Sequence, residues 1–97
     1  MKGAGLIGLP RRGPIRYRPP KGYNPVAGPL PTGPGGGYLD RFGNEWQQGP
    51  AHGKAAAAGH AKEWDVQLSQ QGQNRWGNMA KGGASYINVT KDGIRSH

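Results

Sequence analysis

Glycine and proline limit the folds open to this chain more than any other residue types. The 97 residues include 19 glycines and nine prolines, and one or the other interrupts every stretch that could form a long amphipathic helix. Only 33% of the residues are hydrophobic, so the apolar core must be small. We therefore expect one small domain that is mainly β, or α+β at most, with long segments that lack regular structure.

Residues 1–36 differ in composition from the rest of the chain. Eight of the nine prolines and six basic residues, but no acidic residue, lie within residues 1–37. Because proline disfavours helix in the residue before it, we predict a basic extended arm, or a linker, over residues 1–36. We expect this segment to contribute little to stability, since it lacks apolar periodicity. Its arginines are interleaved with tyrosines and could follow an RNA backbone: Arg11, Arg12, Arg16 and Arg18.

Residues 37–97 have the pattern of a β-rich domain. Apolar and polar residues flank a turn at Gly43-Asn44 and predict a hairpin, followed by a loop over residues 48–59. Residues 62–69 and 86–90 alternate between apolar and polar side chains, which predicts two further strands. The expected architecture is a small twisted antiparallel sheet of four to six strands.

Shorter segments connect these strands. We expect turns at residues 70–72, 81–83 and 91–93, and a returning strand or a short helix over residues 73–79. Apolar side chains of the strands and of this last segment should supply most of the core: Trp46, Trp64, Leu68, Trp76, Ile87 and Val89.

The strand at residues 62–69 places its apolar side chains on one face and its polar side chains on the other. Glu63, Asp65 and Gln67 share the polar face. The chain has only five acidic residues against 13 lysines and arginines. Two carboxylates on one exposed face of a basic protein suggest acid/base chemistry on a phosphodiester. The alternative is the solvated outer face of an antiparallel sheet.

The net charge of +8 points to polyanions as partners, either nucleic acid, an anionic membrane surface or an acidic protein. No apolar run approaches the roughly 20 residues of a membrane span, so we expect no membrane partner. The absence of cysteine excludes disulfides, thiol catalysis and Cys-based zinc sites. The histidines and acidic residues lack the close spacings of metal-nuclease motifs, and we predict no metal ion and no other cofactor.

Cleavage of RNA without a metal needs a base for the 2′-hydroxyl, an acid for the leaving oxygen, and cations for the developing charge. We predict that Glu63 or Asp65 is the base, with His60 and Arg95 completing the catalytic group. Further residues near the acidic strand are predicted to contact RNA: Lys62, Gln67, Arg75 and Lys91. The other two histidines, His52 in a loop and His97, could also act as an acid or a base near neutral pH, but the position of each favours the absence of a catalytic role.

Four segments, in this order, resemble the polymorphic toxin type 17 domain. They are residues 37–46 (Gly-Tyr-Leu-Asp-x-Phe-Gly-Asn-Glu-Trp), 49–50 (Gly-Pro), 63–69 (Glu-Trp-Asp-Val-Gln-Leu-Ser) and 88–93 (Asn-Val-x-x-Asp-Gly). Such domains form the C-terminal tips of large secreted bacterial toxins, such as Rhs-type proteins, and are predicted ribonucleases. The resemblance implies an effector delivered into the cytoplasm of a target cell. It also implies neutralisation by an acidic cognate immunity protein, with a monomer outside that complex.

The Glu-Trp-Asp-x-Gln motif at residues 63–67 is also similar, more distantly, to the cytotoxic ribonuclease domain of the colicins that cut 16S ribosomal RNA. In that domain the Asp of this motif, a His three residues later, a Glu further on and a C-terminal Arg form the active site. Asp65 matches the first of these, and Arg95 is a loose counterpart of the last. Leu68 and Gly72 stand where the His and the Glu would be.

Taken together, these features predict a toxin domain that cleaves ribosomal or transfer RNA by acid/base catalysis without a metal. Two alternatives stay open, a non-catalytic basic module that binds RNA or ribosomes, and a DNase toxin. The carboxylate pair favours the ribonuclease over the binding module, and the lack of metal-ligand spacings disfavours the DNase.

Overall fold

The structure, a computed structural model, describes residues 8–24, 26–80 and 85–97. In these ranges the strands are β1 (Tyr38–Leu39), β2 (Glu45–Pro50), β3 (Lys62–Gln67) and β4 (Tyr86–Val89). The helices are α1 (Gly53–Ala57) and α2 (Gln70–Trp76), and a 3-10 turn, Gly77–Met79, continues α2. The strands form one antiparallel sheet in the order β1-β2-β3-β4, which confirms the predicted fold class. Neither described helix is long and apolar enough to cross a membrane.

The buried carboxylate of Asp40 stabilises the turn between β1 and β2. One of its oxygens accepts the backbone N–H groups of Phe42 and Asn44, each at 2.9 Å. The other accepts side-chain N–H groups of Asn44, at 3.0 Å, and of Trp46, at 2.9 Å. Because four donors converge on one side chain, the turn is tightly held and the predicted hairpin is confirmed.

β2 is longer than predicted. It pairs with β3 as far as Pro50, which lies opposite Lys62, so residues 48–50 are strand and not the start of a loop. Proline is tolerated at this position because the Ala51 N–H makes the next bond, to the carbonyl of Ala61 at 3.2 Å, and the N–H that proline lacks would point away from β3. The strand predicted at residues 86–90 is confirmed as β4, with Ile87 and Val89 buried.

The segment after β3 also differs from the prediction. Residues 70–72, predicted as a turn, form the beginning of α2. Ser69 caps this helix, since its Oγ accepts the backbone N–H of Gly72 at 3.1 Å. Of the two possibilities for residues 73–79, the short helix is therefore confirmed. The turn predicted at residues 81–83 lies outside the described residues.

One face of the sheet carries the apolar core. The six side chains predicted to form it are all buried. Trp46 is fully buried at its centre, with its ring 5.7 Å from that of Tyr17, 6.5 Å from that of Trp64 and 6.4 Å from that of Trp76, measured between centroids. All three pairs have edge-to-face geometry, which is favourable for aromatic rings.

The described part of the arm packs on this same face. Four of its side chains are buried within the core cluster: Leu9, Ile15, Tyr17 and Leu30. The Ile15 N–H donates to the carbonyl of Gly93 at 2.9 Å, and the Tyr17 hydroxyl donates to the carbonyl of Leu39 at 2.7 Å.

The expectation that residues 1–36 contribute little to stability is therefore wrong for the residues that the structure describes. The physical reason is that α1 and α2, of five and seven residues, are too short to cover one face of the sheet. A sheet face must be covered by a second layer, and the arm supplies most of it. The boundary predicted between residues 36 and 37 stays a prediction.

Candidate active site

The other face of the sheet is polar. Gln47, Asp65 and Asn88 lie side by side on it, on β2, β3 and β4. Glu63 shares this face because it precedes Asp65 by two residues along β3. We expected both carboxylates to be exposed, but Glu63 is only 3% exposed and Asp65 is half-buried. Hydrogen bonds from residues 52 and 97 account for the burial of Glu63, because they bring two other segments against this end of β3.

The carboxylate of Glu63 is the centre of this cluster. Its Oε1 accepts the backbone N–H of His52 at 3.1 Å, and its Oε2 lies 2.9 Å from Nε2 of His97. Burial raises the pKa of Glu63, but hydrogen bonds from His52, Ser96 and His97 outweigh it and leave the pKa below its usual value. Glu63 is therefore ionised at neutral pH. With both oxygens already accepting hydrogen bonds, it is suited to orienting His97 and is a poor proton acceptor.

Ser96 fixes the backbone beside His97. It is buried, and its N–H donates to the carbonyl of Asn88 at 2.8 Å. Its carbonyl accepts the N–H of Lys54 at 2.8 Å, and its Oγ donates to the carbonyl of His52 at 2.7 Å. Ser96 thereby joins β4 to the start of α1. This connection holds the rings of His52 and His97 5.8 Å apart and nearly perpendicular.

Asp65 is the acidic residue of this face best suited to accept a proton. Its Oδ1 accepts an N–H from the side chain of Gln67 at 3.0 Å. Burial raises the pKa of Asp65 and the charge of Glu63 acts in the same direction, whereas the bond from Gln67 and the charge of His97 oppose them. The net effect is a raised pKa. A general base that works near neutral pH needs a carboxyl pKa above the usual range.

The same cluster contains atoms of the kinds that bind metal ions. One ligand atom each from His52, Glu63 and His97 lie within 4.8 Å of one another, and two imidazoles with a carboxylate are a known set for catalytic zinc. In the structure described, two of these side chains are joined to each other by the 2.9 Å hydrogen bond between His97 and Glu63. The prediction of no metal was based on spacing along the chain. The structure shows that ligand-type side chains also converge from positions 34 residues apart.

His60 and Arg95, both predicted to be catalytic, lie outside the hydrogen-bond cluster of Glu63. Nε2 of His60 is 3.8 Å from a carboxylate oxygen of Asp92. Its Nδ1 is buried and has no hydrogen-bond partner among the described residues. Arg95 is exposed and forms a backbone bridge with Val89. Of the four predicted catalytic residues, the structure brings Glu63 and Asp65 together.

The residues of the β domain predicted to bind RNA have different surroundings. Lys62 and Gln67 are exposed at the two ends of β3; Gln67 shares the polar face with Asp65, whereas Lys62 is on the same face as Trp64. The guanidinium of Arg75 lies 4.8 Å from the centre of the Phe42 ring, so this cation is stacked on an aromatic face.

The arginines of the arm also differ from one another. Arg11 and Arg12 line a cleft together with Lys91. Arg16 is exposed, and its Nε donates to the carbonyl of Gly13 at 3.1 Å. Arg18 is half-buried, and its Nε has no hydrogen-bond partner among the described residues. Arg11 and Arg12, but not Arg16 or Arg18, therefore line this cleft.

Sequence reasoning missed the contributions of His52, Ser96 and His97 to this site. No local pattern relates residue 97 to Glu63, because the contact depends on how the chain after β4 folds back towards α1. The only available signal was the residue type, since imidazole is the side chain that most readily exchanges protons near neutral pH.

Comparison with known proteins identifies one related family. Residues 4–97 match the family model described as Novel toxin 17, which confirms the resemblance to the polymorphic toxin type 17 domain. Neither the curated proteins nor the solved structures contain a significant match. The more distant likeness to the colicin domain stays a prediction.

Proposed function

Because the chain belongs to the Novel toxin 17 family, we propose that this toxin domain is a ribonuclease in which Asp65 and His97 transfer protons. The observation that carries the proposal is the 2.9 Å hydrogen bond between His97 and the buried Glu63, on the same sheet face as Asp65 with its raised pKa. An imidazole oriented by one carboxylate, beside a second carboxyl of raised pKa, supplies the acid and the base that cleavage of a phosphodiester needs.

The proposed reaction begins at the 2′-hydroxyl of the RNA. Asp65 takes the hydroxyl proton while the 2′-oxygen attacks the phosphorus. The bond from phosphorus to the 5′-oxygen breaks, and protonated His97 gives its proton to that leaving oxygen. The products are a 2′,3′-cyclic phosphate and a 5′-hydroxyl, and Glu63 stabilises the orientation and the charge of the imidazolium throughout.

Two exposed cations adjoin the cluster through its Ser96 segment. Arg95 precedes Ser96, and the N–H of Lys54 donates to the Ser96 carbonyl. In the proposal these two cations offset the negative charge that develops on the phosphate, with Arg95 able to form a bidentate contact. Lys54 was not among the residues predicted from the sequence.

The biological setting is part of the proposal. The domain would act as a delivered effector that stops translation in a target cell by cutting ribosomal or transfer RNA. A net charge of +8 favours rapid capture by an acidic immunity protein in the producing cell, because opposite charges accelerate association. We propose a monomer outside that complex.

A second candidate function is a metal-dependent nuclease, including a DNase, and it is favoured by the convergence of His52, Glu63 and His97. A non-catalytic RNA-binding module is the third. The two nucleases leave different product ends and the binding module leaves no product, so product analysis separates the three.

The first experiment incubates the purified chain with ribosomes, bulk transfer RNA and a duplex DNA, each with and without EDTA. We expect RNA cleavage that persists in EDTA and leaves 2′,3′-cyclic phosphate ends. A matching RNA with one 2′-deoxy nucleotide at the mapped cut should resist cleavage there, because it lacks the attacking hydroxyl. Cleavage that continues at the 2′-deoxy position would refute attack by the 2′-hydroxyl, and cleavage of an unstructured RNA that EDTA abolishes would establish the metal-dependent alternative.

The second experiment assigns the proton-transfer residues. Asp65→Asn and His97→Gln should each lower kcat by about 10²–10⁴-fold, the usual cost of losing a general acid or base. His60→Gln makes the same chemical change at the histidine that the sequence suggested, and we expect it to leave kcat within a small factor of the parent. A large loss in His60→Gln with full activity in His97→Gln would reverse the assignment.

A further inference from the structure

The arm and the turn after β4 form a basic cleft. Its volume is about 470 Å³, and it is lined by Gly8, Leu9, Arg11, Arg12, Lys91 and Asp92. The side chains of Arg11, Arg12 and Lys91 are exposed to solvent. The cleft thus brings together three cations from two segments that are about 80 residues apart in sequence. The carboxylate of Asp92 lines it as well.

The two walls of this cleft are held together by backbone contacts. The Ile15 N–H donates to the carbonyl of Gly93 at 2.9 Å. Gly13 and Gly93 both have φ in the left-handed region, at +93° and +81°. A Cβ on Gly13 would lie 2.5 Å from the carbonyl oxygen of Asp92, and one on Gly93 would overlap the carbonyl of Arg12. Because the walls touch without intervening side chains, the cations are held near one another before any ligand binds, which lowers the entropy cost of binding.

The cleft and the candidate active site are both at the end of the sheet where β3 begins and β4 ends. The register between β3 and β4 pairs Trp64 with Val89, which places Glu63 level with Thr90. Lys91 and Asp92 follow in the turn after β4, in which the Gly93 N–H donates to the carbonyl of Thr90 at 3.0 Å. Because the arm packs on the apolar face and the active site is on the polar face, an RNA strand would pass around this end of the sheet to reach the cleft.

We propose that this cleft binds a backbone phosphate of the RNA substrate that flanks the bond to be cut. The proposal rests on the proposed function in taking RNA as the ligand. Guanidinium groups match the geometry of a phosphate and bind it through paired hydrogen bonds, so Arg11 and Arg12 are the main contacts and Lys91 adds a point charge. The site makes no base-specific contact, and its role is to keep the RNA strand aligned with the active site.

Asp92 is the acidic residue among those that line the cleft. Its side chain is 55% exposed and it lines the cleft, so its charge repels an incoming phosphate. Asp92→Asn should therefore strengthen RNA binding. The same increase of one unit in net charge can be made elsewhere by Gln71→Lys, on an exposed position of α2. If the cleft binds phosphate, Asp92→Asn must strengthen RNA binding more than Gln71→Lys does.

The test measures binding of the full chain to a single-stranded 2′-O-methyl oligonucleotide, which has no free 2′-hydroxyl and cannot be cut by the proposed reaction. Arg11→Gln and Arg12→Gln should each weaken binding about tenfold, as expected for loss of a charge-assisted hydrogen bond. Each should also reduce the slope of log affinity against log salt by about 0.7. Lys21→Gln is the matched control, because Lys21 is an exposed cation of the same arm that does not line the cleft. Thermal midpoints of all variants confirm that they are folded.

Equal effects of Lys21→Gln and Arg12→Gln would overturn the proposal, since only the total charge would then matter. Variants of the cleft that lose affinity for an acidic inhibitor protein but keep their RNA affinity would also overturn it and assign the surface to that partner. The two proposals can fail separately. If the parent chain does not cut RNA but the cleft variants lose RNA binding, the cleft proposal is supported and the ribonuclease proposal is refuted. Cleavage with unchanged binding in those variants refutes the cleft alone.

Discussion

Gly53→Ala tests whether the Ser96-His97 segment must pack on α1 for the site to form. Gly53 begins α1 with φ of +50°, in the left-handed region. A Cβ added there would lie 2.7 Å from the Cβ of His97 and closer still to the carbonyl oxygen of Ser96. Neither neighbour can give way without moving the backbone of residues 96–97, so the substitution should push His97 away from Glu63.

The loss of stability has two parts. A non-glycine residue in the left-handed region costs about 1–2 kcal/mol. Moving Ser96 also breaks its bonds to the N–H of Lys54 and to the carbonyl of His52, at about 1 kcal/mol each. The total of about 3–4 kcal/mol is a large share of the roughly 5–15 kcal/mol that stabilises a domain. Gly59→Ala is the control, because Gly59 has φ of +82° but nothing within 4 Å of the added Cβ.

Urea unfolding followed by tryptophan fluorescence measures the first effect, and RNA cleavage by the folded variants measures the second. Gly59→Ala should lose about 1–2 kcal/mol and keep its cleavage rate. Gly53→Ala should lose more stability and about 10²-fold in rate, since a displacement of about 1 Å in a catalytic group has that effect. Equal stability and equal activity in the two variants would show that residues 96–97 do not pack on α1 as described.

Three further outcomes are expected. Ile15→Ala should lower the free energy of unfolding by about 2–5 kcal/mol, because the side chain is fully buried, whereas Val26→Ala in the same arm, 91% exposed, should change it little; equal urea midpoints would mean that the arm does not belong to the core. Asp65→Asn should raise the unfolding midpoint at pH 7 while it lowers cleavage. The raised pKa of Asp65 means that its protonated form stabilises the fold and that this contribution is lost as pH rises through the folded pKa. A lower midpoint at pH 7 would contradict the raised pKa. The lowered pKa of Glu63 acts on stability in the opposite direction. Its contribution is complete above the usual carboxyl pKa of about 4.3 and is lost as pH falls through the folded pKa, so Glu63→Gln should flatten the acid limb of a plot of unfolding free energy against pH. An unchanged acid limb would count against the Glu63 cluster.

Local patterns in the sequence determined the strands of this protein and much of its core. Alternation with a period of two is a property of consecutive residues, so β3, β4 and the hairpin between β1 and β2 could be predicted without a tertiary structure. The same alternation placed Trp64 in the core and Asp65 on the opposite face. The limits of β2 and α2 were less predictable. They depend on contacts such as the pairing of Pro50 with Lys62 and on the cap that Ser69 provides.

The candidate site itself was decided by contacts between distant parts of the chain. His97 meets Glu63 across 34 residues, and Ser96 bonds the carbonyl of His52 across 44. Neither contact has a periodic signature, because each depends on where the backbone goes after β4. The arm is the second example, since its proline-rich composition indicates an extended chain but not the surface on which that chain lies. Its position was determined by the sheet, because two helices of five and seven residues leave most of the apolar face for the arm to cover.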